Sequence, residues 1–326
     1  MSEQRLEMAN IVGYKRVFSS VTQGPSHFTR TGAKNPVATL GKLAPLPNEL
    51  LDDIISKLCD IQTIVTSFSL VNRSARKAVD ASLAFQRVSL YAPAALVAML
   101  RTQVASFFTL GDLYDALCSN SCSLCGSLGL LLWLPGCQRC CMPCLRSPEL
   151  CPINEYAATK LFGLSTAALA NLPTVCSESG WDDFKDFRRL LSFAHVRAVA
   201  VEDAGGEAQL TARIDSTPQR RAVYDSFISH LNSGSRPKAR EKVAATLPYV
   251  NRRSGEIVNG LSCEGCRWSM DSEDFDVVDI RETCRRYDTV YTISGLIHHV
   301  QTDCPPGQRI WKRHSERSKQ GNEYNQ

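Results

Sequence analysis

Cysteine sets the chemistry open to this chain of 326 residues: there are fourteen, and eight of them fall between Cys118 and Cys151 inclusive. That stretch holds Cys122-x2-Cys125, Cys137-x2-Cys140 and Cys141-x2-Cys144. A CxxC knuckle aims two thiolates at one ion about 2.3 Å from each sulfur, and two knuckles complete a tetrahedron. Joining the first knuckle to the last leaves fifteen residues between them, within the common zinc spacing. Joining it to Cys137 and Cys140 leaves eleven, which falls short. The expected zinc ligands are therefore Cys122, Cys125, Cys141 and Cys144. A redox pair would want its CxxC to open a helix after a strand, and Pro143 together with the repeated knuckles argues against one.

A second set stands further on, where Cys263-x2-Cys266 is followed far downstream by His299-x4-Cys304. Ser294 is placed to cap a helix carrying Leu296 and His299. A knuckle after a hairpin, a helix-borne His and a Cys just beyond it can enclose one ion, so Cys263, Cys266, His299 and Cys304 are the expected ligands of a second zinc. His298 competes with His299, and Cys284 is a more distant alternative.

Other chemistries find no support in the residues. A glycine-rich phosphate loop, a nucleophile elbow, HExxH and the HxE…PCxxC deaminase signature are all missing. A hydrolytic zinc keeps one position open for water, whereas each set here has four protein ligands. Asp182-Asp183 and the acidic stretch Asp271 to Asp276 sit in polar context and read as solvated faces. A cross-braced RING needs His among its ligands, and there is none between His27 and His195. Within 122–151 the only basic residues are Arg139 and Arg146, too few to neutralise many phosphates. The expectation is a non-enzyme with two structural zinc ions.

The elements that must hold these ligands read as mainly α. Residues 1–44 mix Ser, Thr, Gly, Pro and basic residues without periodicity, the pattern of a disordered leader. From Leu46 to Ser82 three short helices are expected. Pro47 suits a first helical position, Leu50, Leu51, Ile54, Ile55 and Leu58 form one stripe, and Asp60 and Asn72 can cap the second and third. Pro93 opens a further helix, and Thr109, Asn154, Ser165 and Ser192 are N-cap candidates. The stretch from Ser192 to Gly205 would alternate equally well as a strand. Thr217-Pro218 opens another helix. Residues 84–232 thus form a helical region with the first zinc site, and 233–243 form a linker. Residues 244–314 form a region with one β-hairpin, a helix and the second zinc site, and 315–326 form a basic tail.

Composition agrees with an ordinary globular chain, 44% apolar and 21% charged. The net charge of +4 comes from the ends: residues 1–44 carry six Lys/Arg against two Glu, and residues 305–326 carry five against two. Both ends read as solvated tails rather than a nucleic-acid footprint. The first twenty residues hold no apolar stretch of signal-peptide length, and the run Leu90 to Leu100 is too short to cross a bilayer. Cytoplasm or nucleus is expected, a reducing setting in which cysteines bind metal rather than pair.

The string Leu46-Pro47-Asn48-Glu49-Leu50-Leu51-Asp52-Asp53-Ile54-Ile55-Ser56-Lys57-Leu58, continued by Ile64, Leu70-Val71-Asn72-Arg73 and Arg76, resembles the F-box. The resemblance implies a three-helix unit at 45–83 that docks on a Skp-type adaptor of SCF ubiquitin ligases through Leu46, Pro47, Leu50, Ile54, Leu58, Ile64 and Val71. The later segments resemble those of filamentous-fungal F-box proteins. Arg139-Cys140-Cys141-Met142-Pro143-Cys144-Leu145 is one, and Gly260 to Cys266, His299 to Cys304 and Gln308 to Trp311 follow the rest of that outline. By this resemblance the chain is a substrate receptor joining an unknown protein client to the ligase. The competing reading is a zinc-dependent nucleic-acid-binding regulator using Arg309, Lys312, Arg313, Arg317 and Lys319.

Overall fold

The computed structural model describes residues 3–15, 39–177, 188–232, 240, 242–271 and 280–323. The chain is mainly α, with short strands that pair mostly in twos and threes.

The three early helices form where their caps and stripe place them. Pro47 is the N-cap of α2 (Asn48–Asp53) rather than its first helical residue, and α2 continues into a wider π-type turn, Ile54–Leu58. Asp60 starts the second helix by accepting from the Thr63 N–H at 2.8 Å. That helix runs through Thr63–Phe68 into α3 (Ser69–Val71). Asn72 caps α4 (Arg73–Ala81), its Oδ1 accepting from the Ala75 N–H at 2.8 Å. Leu51, Ile55, Ile61, Ile64, Val65 and Val79 point inward and are buried.

Behind them pack α5 (Leu83–Tyr91), α6 (Pro93–Arg101, opened by Pro93) and α7 (Leu110–Cys118). Thr109 and Asp112 close a reciprocal capping box at the start of α7. Leu96, Met99, Leu110, Leu113 and Leu117 form a core with β2 (Leu131–Trp133). Strand β2 pairs antiparallel with β3 (Gln138–Cys140) on one side and with β7 (Ala244–Thr246) on the other, Leu132 standing opposite Ala245. This corrects two expected boundaries. Residues 244–250 belong to the first core, not to a separate C-terminal region, and the linker's end is packed, with Arg240 and Val243 buried. Residues 233–239 and 241 lie outside the described residues.

After α8 (Met142–Leu145), the stretch 151–232 builds its own core on the sheet β4 (Pro152–Asn154), β6 (Arg188–Ser192) and β5 (Val175–Ser177). Over it lie α9 (Glu155–Phe162), α10 (Thr166–Leu169), α11 (Phe193–Ala204), α12 (Glu207–Asp215) and α13 (Pro218–Asn232). Ser192 caps α11 and Gly205 closes it at φ 86°, so the ambiguous stretch is a helix.

The expected hairpin is β8 (Tyr249–Val250) with β9 (Ile257–Val258), although β2 and β3 make a second one. The C-terminal elements are β10 (Ser262–Cys263), α14 (Glu264–Asp271), α15 (Ile280–Asp288), α16 (Ile293–Thr302) and α17 (Pro305–Glu323). Two expectations fail here. The described start of the leader is ordered: α1 (Glu3–Val12) buries Met8, Ala9 and Val12 against Leu296, Ile297 and Val300, and β1 (Gly13–Tyr14) pairs with β10, while residues 16–38 of the expected leader lie outside the described residues. The basic tail is the continuation of α17 through Glu323. Among the described residues no single helix is long and apolar enough to cross a membrane.

Candidate metal centres

A hairpin and a short helix supply the ligands of the first centre. Cys122 and Cys125 sit on a tight loop in which the Gly126 N–H donates to the Cys122 carbonyl at 2.9 Å and the Ser123 N–H to the Arg139 carbonyl at 2.9 Å. Cys141 is the N-cap of α8, and Cys144 lies within that helix. The four sulfurs lie within 4.8 Å of one another, with Cys125 and Cys141 3.5 Å apart. A tetrahedron of sulfurs about 2.3 Å from its centre has edges of about 3.8 Å. The donors therefore already stand at the separations an ion requires.

Cys137 and Cys140 are not part of this group. Both are buried in the apolar core, and burial drives both thiols well above their ordinary range, as suits inert packing residues. Cys125, by contrast, is exposed. Desolvation there is outweighed by hydrogen bonds from the Ser127 side chain and backbone, which lower its thiol to about 6.

The second centre joins β10, the start of α14, and α16 to α17. Cys263, Cys266, His299 and Cys304 are all buried and lie within 4.8 Å of one another. His299 Nε2 is 3.2 Å from Cys266 Sγ, and Cys304 Sγ is 3.7 Å from Cys263 and 3.9 Å from Cys266. His298 is exposed on the other side of α16, and Cys284 on α15 stands outside the group. The cap of α16 is Thr292, whose Oγ1 accepts from the Gly295 N–H at 3.1 Å, two residues earlier than the expected Ser294.

The sulfurs behave as a shared donor set. Hydrogen bonds with Cys263 and Cys266 push the Cys304 thiol down, while hydrogen bonds with Cys263 and Cys304 push Cys266 up. Burial would lower the His299 imidazole, but its hydrogen bonds to Cys263 and Cys304 raise it to about 9. Gly265 is required by close approach: a Cβ there would stand 2.3 Å from Gly307 N and 2.8 Å from Cys304 Sγ.

Several supporting residues carry no signal in the spacing. The Tyr291 ring stacks on His299 at 4.6 Å and fixes the imidazole plane. Arg146 donates to the buried Asp288 carboxylate at 2.5 Å, tying the chain after α8 to the end of α15. The two centres face one cleft of about 680 Å³, which Cys125, Cys141, Cys144 and His299 all line. Arg139, embedded in the cysteine motif, is 2% exposed and contacts five backbone carbonyls rather than a carboxylate.

The seven residues expected to dock a partner divide. Pro47, Leu50, Leu58 and Val71 are exposed, and Leu46 and Ile54 are half-buried. Ile64 is 2% exposed and belongs to the core, on a helical turn packed against α4, so it offers no surface to a partner in this structure. Leu70, not among the seven, is 71% exposed beside Val71. No family model, curated protein or solved structure matches the chain.

Proposed function

We propose that the chain is a non-enzymatic adaptor that docks a partner on the outer face of α2–α4 and is held rigid by two structural zinc ions. The observation that carries the docking is the exposure of Leu50 (50%), Leu58 (75%), Leu70 (71%) and Val71 (71%) on helices whose inner faces are already satisfied by the core. Covering these four side chains would contribute roughly 4–8 kcal/mol. The F-box resemblance of the same stretch points to a Skp-type adaptor of an SCF-type ubiquitin ligase as the partner, with the remainder of the chain receiving a protein client.

Thiolate-rich sets of tetrahedral geometry favour zinc over oxygen-seeking cations. Cys122, Cys125, Cys141 and Cys144 would hold one ion, and Cys263, Cys266, His299 and Cys304 the other. Such ions supply folding free energy and, with four protein ligands each, no open position for a reacting water.

Co-purification with a Skp-type adaptor tests the docking. The wild type is expected to retain the adaptor, and the triple variant Leu50→Asp/Leu58→Asp/Val71→Asp, altered only at exposed positions, is expected to lose it. Equal retention by both removes the proposal. Metal analysis of the purified chain tests the ions, with two zinc per chain expected.

A further inference from the structure

The residues that the sequence presents as a basic tail stand on a rigid helix. Cys304 of the second centre immediately precedes α17, and its sulfur accepts from the Gly307 N–H at 3.4 Å. Ile310 and Trp311 pack on the core around that centre, and His314 stacks on Trp311 at 6.1 Å. At 100° per residue these contacts occupy one side of the helix. Arg309 and Lys312 lie on the opposite side, Arg313 on its flank and Arg317 next to the angle of Ile310 but further along the helix; all four are exposed, with Glu316 the one acid among them.

Several surface arginines elsewhere in the chain are neutralised, although Arg73, Arg101 and Arg253 are exposed without an ion pair among the described residues. Arg197 pairs with Glu207 at 2.7 Å, Arg213 with Asp203 at 2.6 Å, and Arg221 with both Asp215 and Asp225 at 2.9 Å. Among the described residues, no ion pair involves any of the four cations of α17. Like charges crowded on one helix repel each other, so leaving them unpaired is costly unless an anion covers them.

We propose that α17 is a docking element for the phosphate backbone of duplex nucleic acid. The shape selects this polyanion over the others. A membrane-surface helix needs a free apolar face to insert, and that of α17 is spent on the protein core. Lacking it, an anionic bilayer offers only a surface attraction that fades within a Debye length. A helix of about 10–12 Å diameter with exposed cations on its outer side and flank is matched to a major groove about 12 Å wide, where phosphates flank it on both sides. Four cations would release counterions from four phosphates, giving sequence-independent, salt-sensitive binding. Lys319 lies further along the same helix, outside the described side chains. The surface is separate from the face of α2–α4, so an adaptor positioned on nucleic acid needs both.

The test is fluorescence anisotropy of the full-length, zinc-loaded chain with a labelled mixed-sequence DNA duplex between 50 and 200 mM salt. The expected slope of log K against log salt is about −3.6, a loss of roughly 150-fold across that range. The single variant Arg313→Gln is expected to reduce the slope by about 1. The quadruple variant Arg309→Gln/Lys312→Gln/Arg313→Gln/Arg317→Gln, with unchanged circular dichroism and zinc content, is expected to abolish binding. The Leu50→Asp/Leu58→Asp/Val71→Asp variant is expected to bind duplex as the wild type does, which separates this proposal from the adaptor one. Equal binding by wild type and quadruple variant, no binding at 50 mM salt, or tighter binding to phosphatidylserine vesicles or polyglutamate than to duplex would each overturn it.

Discussion

Gly13 stands opposite Cys263 in a two-residue antiparallel ladder, so the N-terminal segment is hydrogen-bonded alongside the first ligand of the second metal centre. Helix α1 leads into that ladder and covers Leu296, Ile297 and Val300 with Met8, Ala9 and Val12. The two ends of the chain therefore complete one core, and the centre sits inside it.

Replacing Gly13 should show that dependence. A Cβ at this position would lie 2.5 Å from the Ala9 carbonyl oxygen and 2.7 Å from Leu296 Cδ2. Overpacking of this kind costs about 1–3 kcal/mol. Gly13→Val is expected to lower stability by that amount and to weaken the second centre selectively. Titration against a chromophoric zinc chelator checks this: one of the two equivalents should be released at lower chelator concentration than in the wild type.

The face of α2–α4 makes a contrasting pair of predictions. Ile64→Ala should cost about 2–5 kcal/mol, because Ile64 is 2% exposed within the core. Leu58→Ala, at 75% exposure, should stay within about 0.5 kcal/mol of wild type. Urea melts of the isolated chain measure both, and only the second substitution should impair partner capture without impairing the fold.

What could be read from sequence was what is local. Asn72, Thr109, Asn154, Ser165 and Ser192 each accept from the N–H three residues on, because a capping oxygen and its donor are fixed by short-range geometry. The choice of Cys141 and Cys144 over Cys137 and Cys140 also rests on chain length between knuckles. Pairing of Leu131–Trp133 with Ala244–Thr246 was not legible, since three-residue strands leave no periodicity and their partners lie more than a hundred residues apart. Helix α1 was hidden similarly: its buried Met8, Ala9 and Val12 are too few to stand out beside a polar stretch. The cap of α16 was misplaced because two hydroxyls, Thr292 and Ser294, compete within 3.2 Å of each other.

The two centres should part with their ions in order. Cys125 is exposed and opens on the cleft, whereas every ligand of the second centre is at most 6% exposed. A chelator is expected to remove one equivalent quickly and the other only as the core opens, giving two kinetic phases of equal amplitude. Acid should accelerate the loss. Burial pushes the metal-free Cys141 thiol up to about 12, so below that pH it is protonated without the ion, and binding must expel the proton. Affinity therefore falls as pH falls, and a release rate unchanged between pH 8 and pH 6 would contradict this.

Arg139 should prove more important to the fold than any ligand-free reading of the cysteine motif suggests. Its Nε donates to the Ala116 carbonyl at 2.9 Å and its Nη2 to Leu117 at 3.3 Å, so the guanidinium closes the C-terminal end of α7, where helix carbonyls lack partners and carry partial negative charge. Nη1 donates to Gly129 and, at 2.9 Å, to Leu247, and Nη2 reaches Pro248 at 2.7 Å. One side chain thus joins a helix end, the loop before β2 and the turn after β7, which no sequence neighbour links. Burial lowers the guanidinium to about 10, which still leaves it protonated at neutral pH. Lysine has three donors on one atom and cannot span these five acceptors, so Arg139→Lys strands buried carbonyls at about 1–3 kcal/mol each. Arg139→Lys is expected to cost about 3–5 kcal/mol in urea unfolding and to lower retention at the first centre, because the Arg139 carbonyl holds the Ser123 N–H of its knuckle. Arg253→Lys, on the exposed turn between β8 and β9, is the control and should change neither.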